Sequence, residues 1–225
     1  MGLLFLVRHA TTAASAAGRN LGQRSDAGLT EDGLRLAERL ACAIALELAP
    51  LPQPTMRLVT SPARRCQDTA ASIARALDGS SAGVVARVEA GLRELDYGSW
   101  DGLTPDECRR RDPELRAAWE ADPYTVRAPG GESGADVAAR SFPVLTAAED
   151  WARHNDGRVV IVISHNHVIR IRLAALMGLP LRDYRRRFEV DPGSYSLLML
   201  GTDRLVEGGG ATVRRLGALA QDGEC

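Results

Sequence analysis

Short, continuous apolar runs alternate along the chain with longer segments in which apolar residues recur at helical spacing. Four of the short runs predict strands, and they are Leu3–Val7, Met56–Thr60, Gly83–Glu89 and Val159–Ile163. The first and fourth runs are apolar enough to suit central strands that are buried on both faces of a parallel sheet. Two later runs, Tyr195–Leu200 and Thr212–Leu216, predict further strands at the edge of that sheet.

Helical segments separate these strands. The helical pattern covers Leu29–Leu48 with Thr30 as the N-cap, Pro62–Leu77, Thr104–Ala121, a segment from Ser133 to about His154, and Val168–Met177. Strands that alternate with helices are typical of a mainly parallel sheet covered on both faces. The pattern therefore predicts an α/β chain built as a three-layer α/β/α sandwich.

Five polar residues follow the predicted strands at equivalent ends. Arg8 and His9 end the first strand, Arg65 lies one turn into the helix after the second, Glu94 follows the third, and His165 ends the late apolar strand. Ligands of such sheets bind beyond the carboxyl ends of the strands. We therefore expect these side chains to share one crevice.

Together these residue types suit phosphoryl transfer without a metal. An arginine fork fits phosphate oxygens, an imidazole can act as nucleophile, and a carboxyl group can protonate a leaving alkoxide. Taken singly, each has an ordinary explanation: a surface Arg-His pair, a solvated helix face around Arg65, a loop acid and a structural histidine.

The order of the surrounding motifs resembles that of one known family. The segments are LVRHATTAAS, LTEDGLRLAERLA, TSPARRCQDTA, LRELDYGSWDG, PGGESGADVAAR and VIVISHNHVIRIRL. They are similar, in matching order, to the motifs of the phosphatase branch of the histidine phosphatase superfamily, the phosphoglycerate mutase-like enzymes. The resemblance implies a phosphoglycerate mutase-like fold, with residues 1–225 as a single domain and a helical cap-like insertion at about 99–128.

The resemblance also implies roles for the site residues. His9 would be the nucleophile that forms a phosphohistidine, and Glu94 would be the general acid and then the general base. Arg8, Arg65 and His165 would hold the phosphoryl oxygens. No metal or other cofactor is implied, and the expected partner is a small phosphate ester.

The sequence departs from the family pattern beside both histidines. Ala10 stands where a glycine is usual, and Ser15 stands where the family commonly has an asparagine, so we expect one phosphate contact to be shorter or lost there. Asn166 replaces a glycine, and it either adopts a left-handed backbone or presents its amide to the substrate. His167 follows, but a His-x-His pair without further ligands does not make a metal site.

Composition narrows the other possibilities. The net charge is −1, and all 28 basic residues are arginine, which gives no global attraction to nucleic acid or membranes. No apolar run is long enough for a membrane span or a signal-peptide core. The four cysteines are not spaced as metal ligands, and we expect reduced thiols in a cytoplasmic protein. A homodimer is an expectation from the family resemblance.

Two alternative functions stay open on the sequence. A cofactor-dependent phosphoglycerate mutase would share the fold, although mutases typically carry His-Gly-Asn-Ser near the second histidine and a longer middle segment. A catalytically silent binding protein would also share it, although such proteins lose catalytic residues and this chain keeps all five. The substrate itself is not predicted.

Overall fold

A six-stranded sheet forms the centre of the computed structural model, which describes residues 2–77, 85–153, 157–201 and 211–219. The strands are β1 Gly2–Arg8, β2 Thr55–Thr60, β3 Ala86–Val88, β4 Arg158–Ser164, β5 Ser194–Leu200 and β6 Ala211–Leu219. Their order across the sheet is β3-β2-β4-β1-β5-β6. β1 to β4 run parallel, and β5 and β6 are antiparallel additions. The predicted mainly parallel sheet is confirmed.

Helices cover both faces of this sheet. They are α1 Ala13–Ala16, α2 Glu31–Leu48, α3 Arg64–Leu77, α4 Pro105–Arg111, α5 Pro113–Ala121, α6 Gly134–Arg153, α7 Asn166–Leu176 and α8 Tyr184–Arg187. Leu4 and Leu6 of β1 pack in one apolar core with residues of α6 and α7. Phe5 lies in a second core with residues of α2 and α3, because alternate residues of a strand face opposite sides. The α/β/α arrangement predicted from the sequence is confirmed.

The register of the central strands places the two expected catalytic histidines side by side. Arg8 of β1 pairs with Ser164 of β4, and the amide of His9 donates to the carbonyl of Ser164 at 3.1 Å. Both strands are parallel and end at this point. Their next residues, His9 and His165, therefore leave the same edge of the sheet.

Several element boundaries differ from the sequence predictions. The helix expected over Thr104–Ala121 is broken at Asp112, because the residue before a proline, here Pro113, is disfavoured in helical conformation. β5 is wrongly predicted as an edge strand, since it lies between β1 and β6. β3 is shorter than expected, and residues 83, 84 and 154 of the predicted elements lie outside the described residues. α4 and α5 occupy the expected insertion, whose role as a cap stays a prediction, as does the single-domain organisation.

The cysteines only partly follow the expectation of reduced thiols. Cys66 and Cys108 are buried and free, whereas Cys42 is disulfide-bonded. Among the described residues, no helix combines the length and the apolar character that crossing a bilayer requires.

Candidate active site

His9 and His165 form the centre of the site. Their ring centroids lie 5.2 Å apart in an edge-to-face arrangement, and both side chains are buried. His165 is the N-cap residue of α7. The charges of Arg8 and Arg65 act on both histidines and on Glu94. The structure thus brings together the five residues that the sequence predicts to share a crevice.

The hydrogen bond of His9 defines its tautomer. Nδ1 lies 2.8 Å from the carbonyl oxygen of Ala10, and a carbonyl oxygen can only accept, so Nδ1 carries the hydrogen. Burial lowers the pKa of His9 well below its usual range, and the guanidiniums of Arg8 and Arg65 lower it further. The neutral imidazole therefore leaves Nε2 with a free lone pair. That is the state a nucleophilic histidine needs.

Two arginines beside His9 have buried N–H donors without an acceptor among the described residues. Arg65, in the first turn of α3, donates from Nη2 to the carbonyl of Gly22 at 3.0 Å, while its Nε and Nη1 are buried without an acceptor among the described residues. Arg8 donates from Nη1 to the carbonyl of Val190 at 2.5 Å, and its Nε is likewise buried and unpaired there. Within the described part of the chain, neither guanidinium forms an ion pair with a carboxylate. Buried N–H groups of this kind favour an anion.

Glu94 is a buried carboxyl group with a raised pKa. Its Oε1 accepts from the amide of Leu95 at 2.8 Å and from the amide of His167 at 3.3 Å. Burial raises the pKa of Glu94 above its usual range, although these amides, Arg65 and Arg8 oppose the shift. A raised pKa favours the protonated form that a general acid uses.

The ring of His165 contacts Ser61 and Cys66. Its Nε2 lies 2.8 Å from the hydroxyl oxygen of Ser61 and 3.5 Å from the sulfur of Cys66. Burial lowers the pKa of His165 well below its usual range, and the charge of Arg65 adds to this. Burial also raises the pKa of the Cys66 thiol, which disfavours a thiolate beside the histidine.

Ser15, which the sequence predicts to contact phosphate, takes part in a helix cap. Ser15 lies in the first turn of α1, where its hydroxyl accepts from the amide of Thr12 at 2.9 Å and its own amide donates to the Thr12 hydroxyl at 3.1 Å. This capping box occupies the group expected to contact phosphate, so that role stays a prediction.

Asn166 is the first residue of α7, and among the described non-glycine residues only Gln53 has a positive φ. The left-handed backbone considered for Asn166 is therefore wrong. Its Oδ1 is buried and has no donor among the described residues. A substrate contact by this side chain stays a prediction.

His167 has different partners from the His9–His165 pair. Its Nε2 lies 2.7 Å from the hydroxyl of Tyr97 and its Nδ1 lies 2.6 Å from the hydroxyl of Tyr184. His165 instead faces Ser61, so the two side chains of the His-x-His motif bind different partners. Through its backbone amide, His167 also fixes the carboxylate of Glu94.

A small cavity leads to Arg65 and Glu94. It measures about 210 Å³, and its lining residues are Gly22, Gln23, Ser25, Asp26, Pro62, Ala63, Arg65, Arg93 and Glu94. Within the described part of the chain, no group of three or more histidine, cysteine or acidic residues is arranged to hold a metal ion.

Arg140 of α6 binds the loop that carries Glu94, a contact that the sequence reasoning missed. It uses all five N–H donors: Nη1 donates to the carbonyls of Gly91 and Arg93, Nη2 donates to the carbonyl of Glu94 at 3.0 Å, and Nε and Nη2 bind the carboxylate of Glu132. Both Arg140 and Glu132 belong to the segment PGGESGADVAAR, but nothing in their spacing indicates that they hold a loop some 46 residues away in the chain.

Arg140→Ala should lower kcat by about 100-fold, because a misplacement of roughly 1 Å at a catalytic group can cost that much. The loop that carries Glu94 would lose three backbone hydrogen bonds. Steady-state hydrolysis of a phosphate monoester measures the effect. The control is Arg109→Ala, which removes an exposed guanidinium that pairs with Asp106 and Glu120 and should leave kcat unchanged. A folded Arg140→Ala protein with wild-type kcat would contradict the positioning role.

Comparison with known proteins extends these observations. A family model described as "Histidine phosphatase superfamily (branch 1)" matches residues 4–208. The chain is similar to a glucosyl-3-phosphoglycerate phosphatase of Mycobacterium tuberculosis, at 36% identity over 186 residues that make up 80% of this chain and 78% of the relative. It is 31% identical over 203 residues to phosphoserine phosphatase 1 of Hydrogenobacter thermophilus, covering 90% of this chain and 89% of the relative.

A solved structure is also similar along almost its full length. The complex of a mycobacterial glucosyl-3-phosphoglycerate phosphatase with inorganic phosphate superposes with a TM-score of 0.77 at 29% identity, over 98% of this chain and 99% of that chain. The phosphoglycerate mutase-like fold implied by the sequence motifs is thereby confirmed.

Proposed function

Because the chain belongs to the histidine phosphatase superfamily, branch 1, we propose that it hydrolyses a phosphate monoester through a phosphohistidine intermediate on His9. The chain is a phosphatase of small phosphorylated metabolites; the intermediate and the residue roles are the proposal. One observation carries it. His9 offers an unprotonated Nε2 beside two buried guanidiniums that have unpaired donors.

The first step transfers the phosphoryl group to His9. Nε2 attacks phosphorus, the N–P bond forms, and the bond to the ester oxygen breaks. Glu94 gives its proton to that oxygen, so the alcohol leaves neutral. Arg8, Arg65 and His165 stabilise the charge on the other phosphoryl oxygens, which is the role that metal ions have in other phosphoryl transfers.

The second step returns the site to its starting state. Glu94, now a carboxylate, takes a proton from water, and the water oxygen attacks phosphorus. The N–P bond breaks and inorganic phosphate leaves. Since Glu94 regains its proton and His9 its lone pair, the cycle needs no further reactant.

Phosphate release separates this proposal from a mutase. We expect inorganic phosphate from several phosphomonoesters, with no isomerisation of 3-phosphoglycerate to 2-phosphoglycerate. Label from a ³²P-ester should be trapped on the protein by rapid denaturation in alkali, where phosphohistidine persists, and should map to His9. Isomerisation without net phosphate release would favour the mutase. A chain that neither releases phosphate nor takes up label would be a binding protein.

The relatives also indicate a class of substrate. The names of the two relatives contain glucosyl-3-phosphoglycerate and phosphoserine. Both compounds are small phosphate esters that carry a carboxylate. We propose a small ester of this general kind as the partner of the site. A homodimer, a cytoplasmic location and the absence of nucleic-acid or membrane partners stay predictions.

A further inference from the structure

A second group of arginines lies beside the phosphoryl site, on the α7–α8 side of the sheet edge. Arg170 lies on α7, one turn after Asn166, and Arg185 lies on α8. Residues four apart share a face of a helix, so Arg170 projects from the same face as Asn166. We call Arg170 and Arg185 the α7–α8 arginine pair.

The charges of this pair are not neutralised by direct contact with a carboxylate in the described part of the chain. Neither arginine forms an ion pair with a carboxylate there, and the Nε of Arg170 is buried without an acceptor. The guanidinium of Arg185 lies 4.5 Å from the ring centroid of Trp119, and stacking of this kind holds its position without neutralising its charge. Two other arginines on the same helices do have partners: Arg172 pairs with Glu149, and Arg186 donates to a carbonyl.

The positive charges of Arg185 and Arg8 both act on Arg170. Burial lowers the pKa of Arg170, and the positive charges of Arg185 and then Arg8 lower it further, whereas Tyr97 and Glu94 oppose the shift. Arg170 lies on the helix that begins directly after His165, and the ring of His165 lies 5.2 Å from that of His9. Three partly buried positive charges that make no ion pair with a carboxylate in the described part of the chain are costly unless an anion joins them.

We propose that Arg170 and Arg185 bind a second anionic group of the substrate, a carboxylate or a further phosphate, while its ester phosphoryl group lies at Arg8, Arg65 and His9. This assignment rests on the proposed phosphatase function and extends it to substrate choice. A guanidinium fork matches both carboxylate and phosphate oxygens. The Oδ1 of Asn166, which is buried without a donor among the described residues, accepts a hydroxyl of the same substrate.

Three matched esters test the proposal. Glycerol 3-phosphate, 3-phosphoglycerate and glycerol 1,3-bisphosphate share a three-carbon chain with a 2-hydroxyl and differ in the far group, which is uncharged, a carboxylate or a phosphate. The wild type should prefer at least one of the doubly anionic esters over glycerol 3-phosphate by roughly 10- to 100-fold in kcat/KM. The anionic ester with the higher kcat/KM shows whether the second group is a carboxylate or a phosphate.

The variants show whether the α7–α8 arginine pair causes this preference. In Arg170→Gln and in Arg185→Gln, the ratio of kcat/KM for the anionic ester to kcat/KM for glycerol 3-phosphate should fall toward one, chiefly through a higher KM for the anionic ester. Arg186→Gln is the matched control, because it removes an exposed neighbouring charge and should leave the preference as in the wild type.

A wild type that hydrolyses all three esters equally would overturn the subsite but keep the phosphatase. So would variants that lose activity equally on all three. A wild type that releases phosphate from none of them while a calorimetric titration shows tight binding of 3-phosphoglycerate, weakened in Arg170→Gln, would overturn the proposed hydrolysis and keep the anion subsite.

Discussion

His9→Ala should lower kcat for phosphomonoester hydrolysis by about 10⁴-fold or more, the order of loss that follows removal of a nucleophile that acts as part of a catalytic unit. The physical reason is specific to Nε2 of His9. Nδ1 of His9 donates its hydrogen to the carbonyl of Ala10, so Nε2 is the unprotonated nitrogen and keeps its lone pair for attack on phosphorus. Stopped assays of phosphate release with purified protein measure the loss.

Three further observations distinguish loss of the nucleophile from loss of the fold. His9→Ala should still bind inorganic phosphate, because the unpaired donors of Arg8 and Arg65 stay in place. It should take up no label from a ³²P-ester. In His9→Gly, added imidazole should restore part of the activity, since the free base can occupy the space of the missing ring.

The proposal for His9 would be wrong if the alanine variant kept activity within about tenfold of the wild type, because a nucleophile contributes far more than this. Label that stays on His9→Ala would point to another acceptor. His165 is then the residue to examine, because its ring is also buried and neutral and lies 5.2 Å from that of His9.

Sequence reasoning predicts this site well where a residue directly follows a strand. His9 and His165 each follow an apolar β run, and parallel strands bring their carboxyl ends to one edge. Which strands are neighbours is harder, because pairing depends on how the whole chain packs. The wrong edge position of β5 is an example: its six residues 195–200 read as an ordinary apolar run, yet it pairs with both β1 and β6.

The sequence predicts which residues form the site better than it predicts their hydrogen bonds. The free lone pair of His9 depends on where the Ala10 carbonyl points, and no pattern of side chains records that. Likewise, Arg140 acts through three carbonyls of a distant loop, so its partners leave no trace in spacing. The break at Asp112 is different, because Pro113 is a local signal that could have predicted it.

Glu94→Gln should have an effect that depends on the leaving group. With alkyl phosphates we expect kcat to fall by about 10²- to 10⁴-fold, because glutamine cannot supply the proton that an alkoxide needs. With p-nitrophenyl phosphate the leaving group is stable as an anion, so the first step should proceed while the second, which needs a base for water, becomes slow. A burst of p-nitrophenol followed by slow turnover, with label accumulating on His9, is the expected result.

The pH profile of the same variant tests the raised pKa of Glu94. Phosphorylation needs a neutral His9, whose pKa burial lowers, and a protonated Glu94, whose pKa burial raises. With an alkyl phosphate, kcat/KM of the wild type should therefore fall on the acidic side as His9 gains a proton and on the alkaline side as Glu94 loses one. Glu94→Gln should lose the alkaline limb, because glutamine does not ionise, and keep the acidic limb, because His9 is unchanged. The ionisation of the substrate is common to both proteins and cancels in the comparison.

Glu38→Gln provides the matched control, since it makes the same chemical change on the exposed face of α2. It should show neither a burst nor a changed profile. If Glu94→Gln slows alkyl and p-nitrophenyl phosphates equally in the first step, without accumulating label, then Glu94 does not handle the proton and acts only through its charge beside Arg8 and Arg65. In that case the buried carboxyl group would be a structural acid, and the proton donor would have to be sought among the other residues that line the cavity.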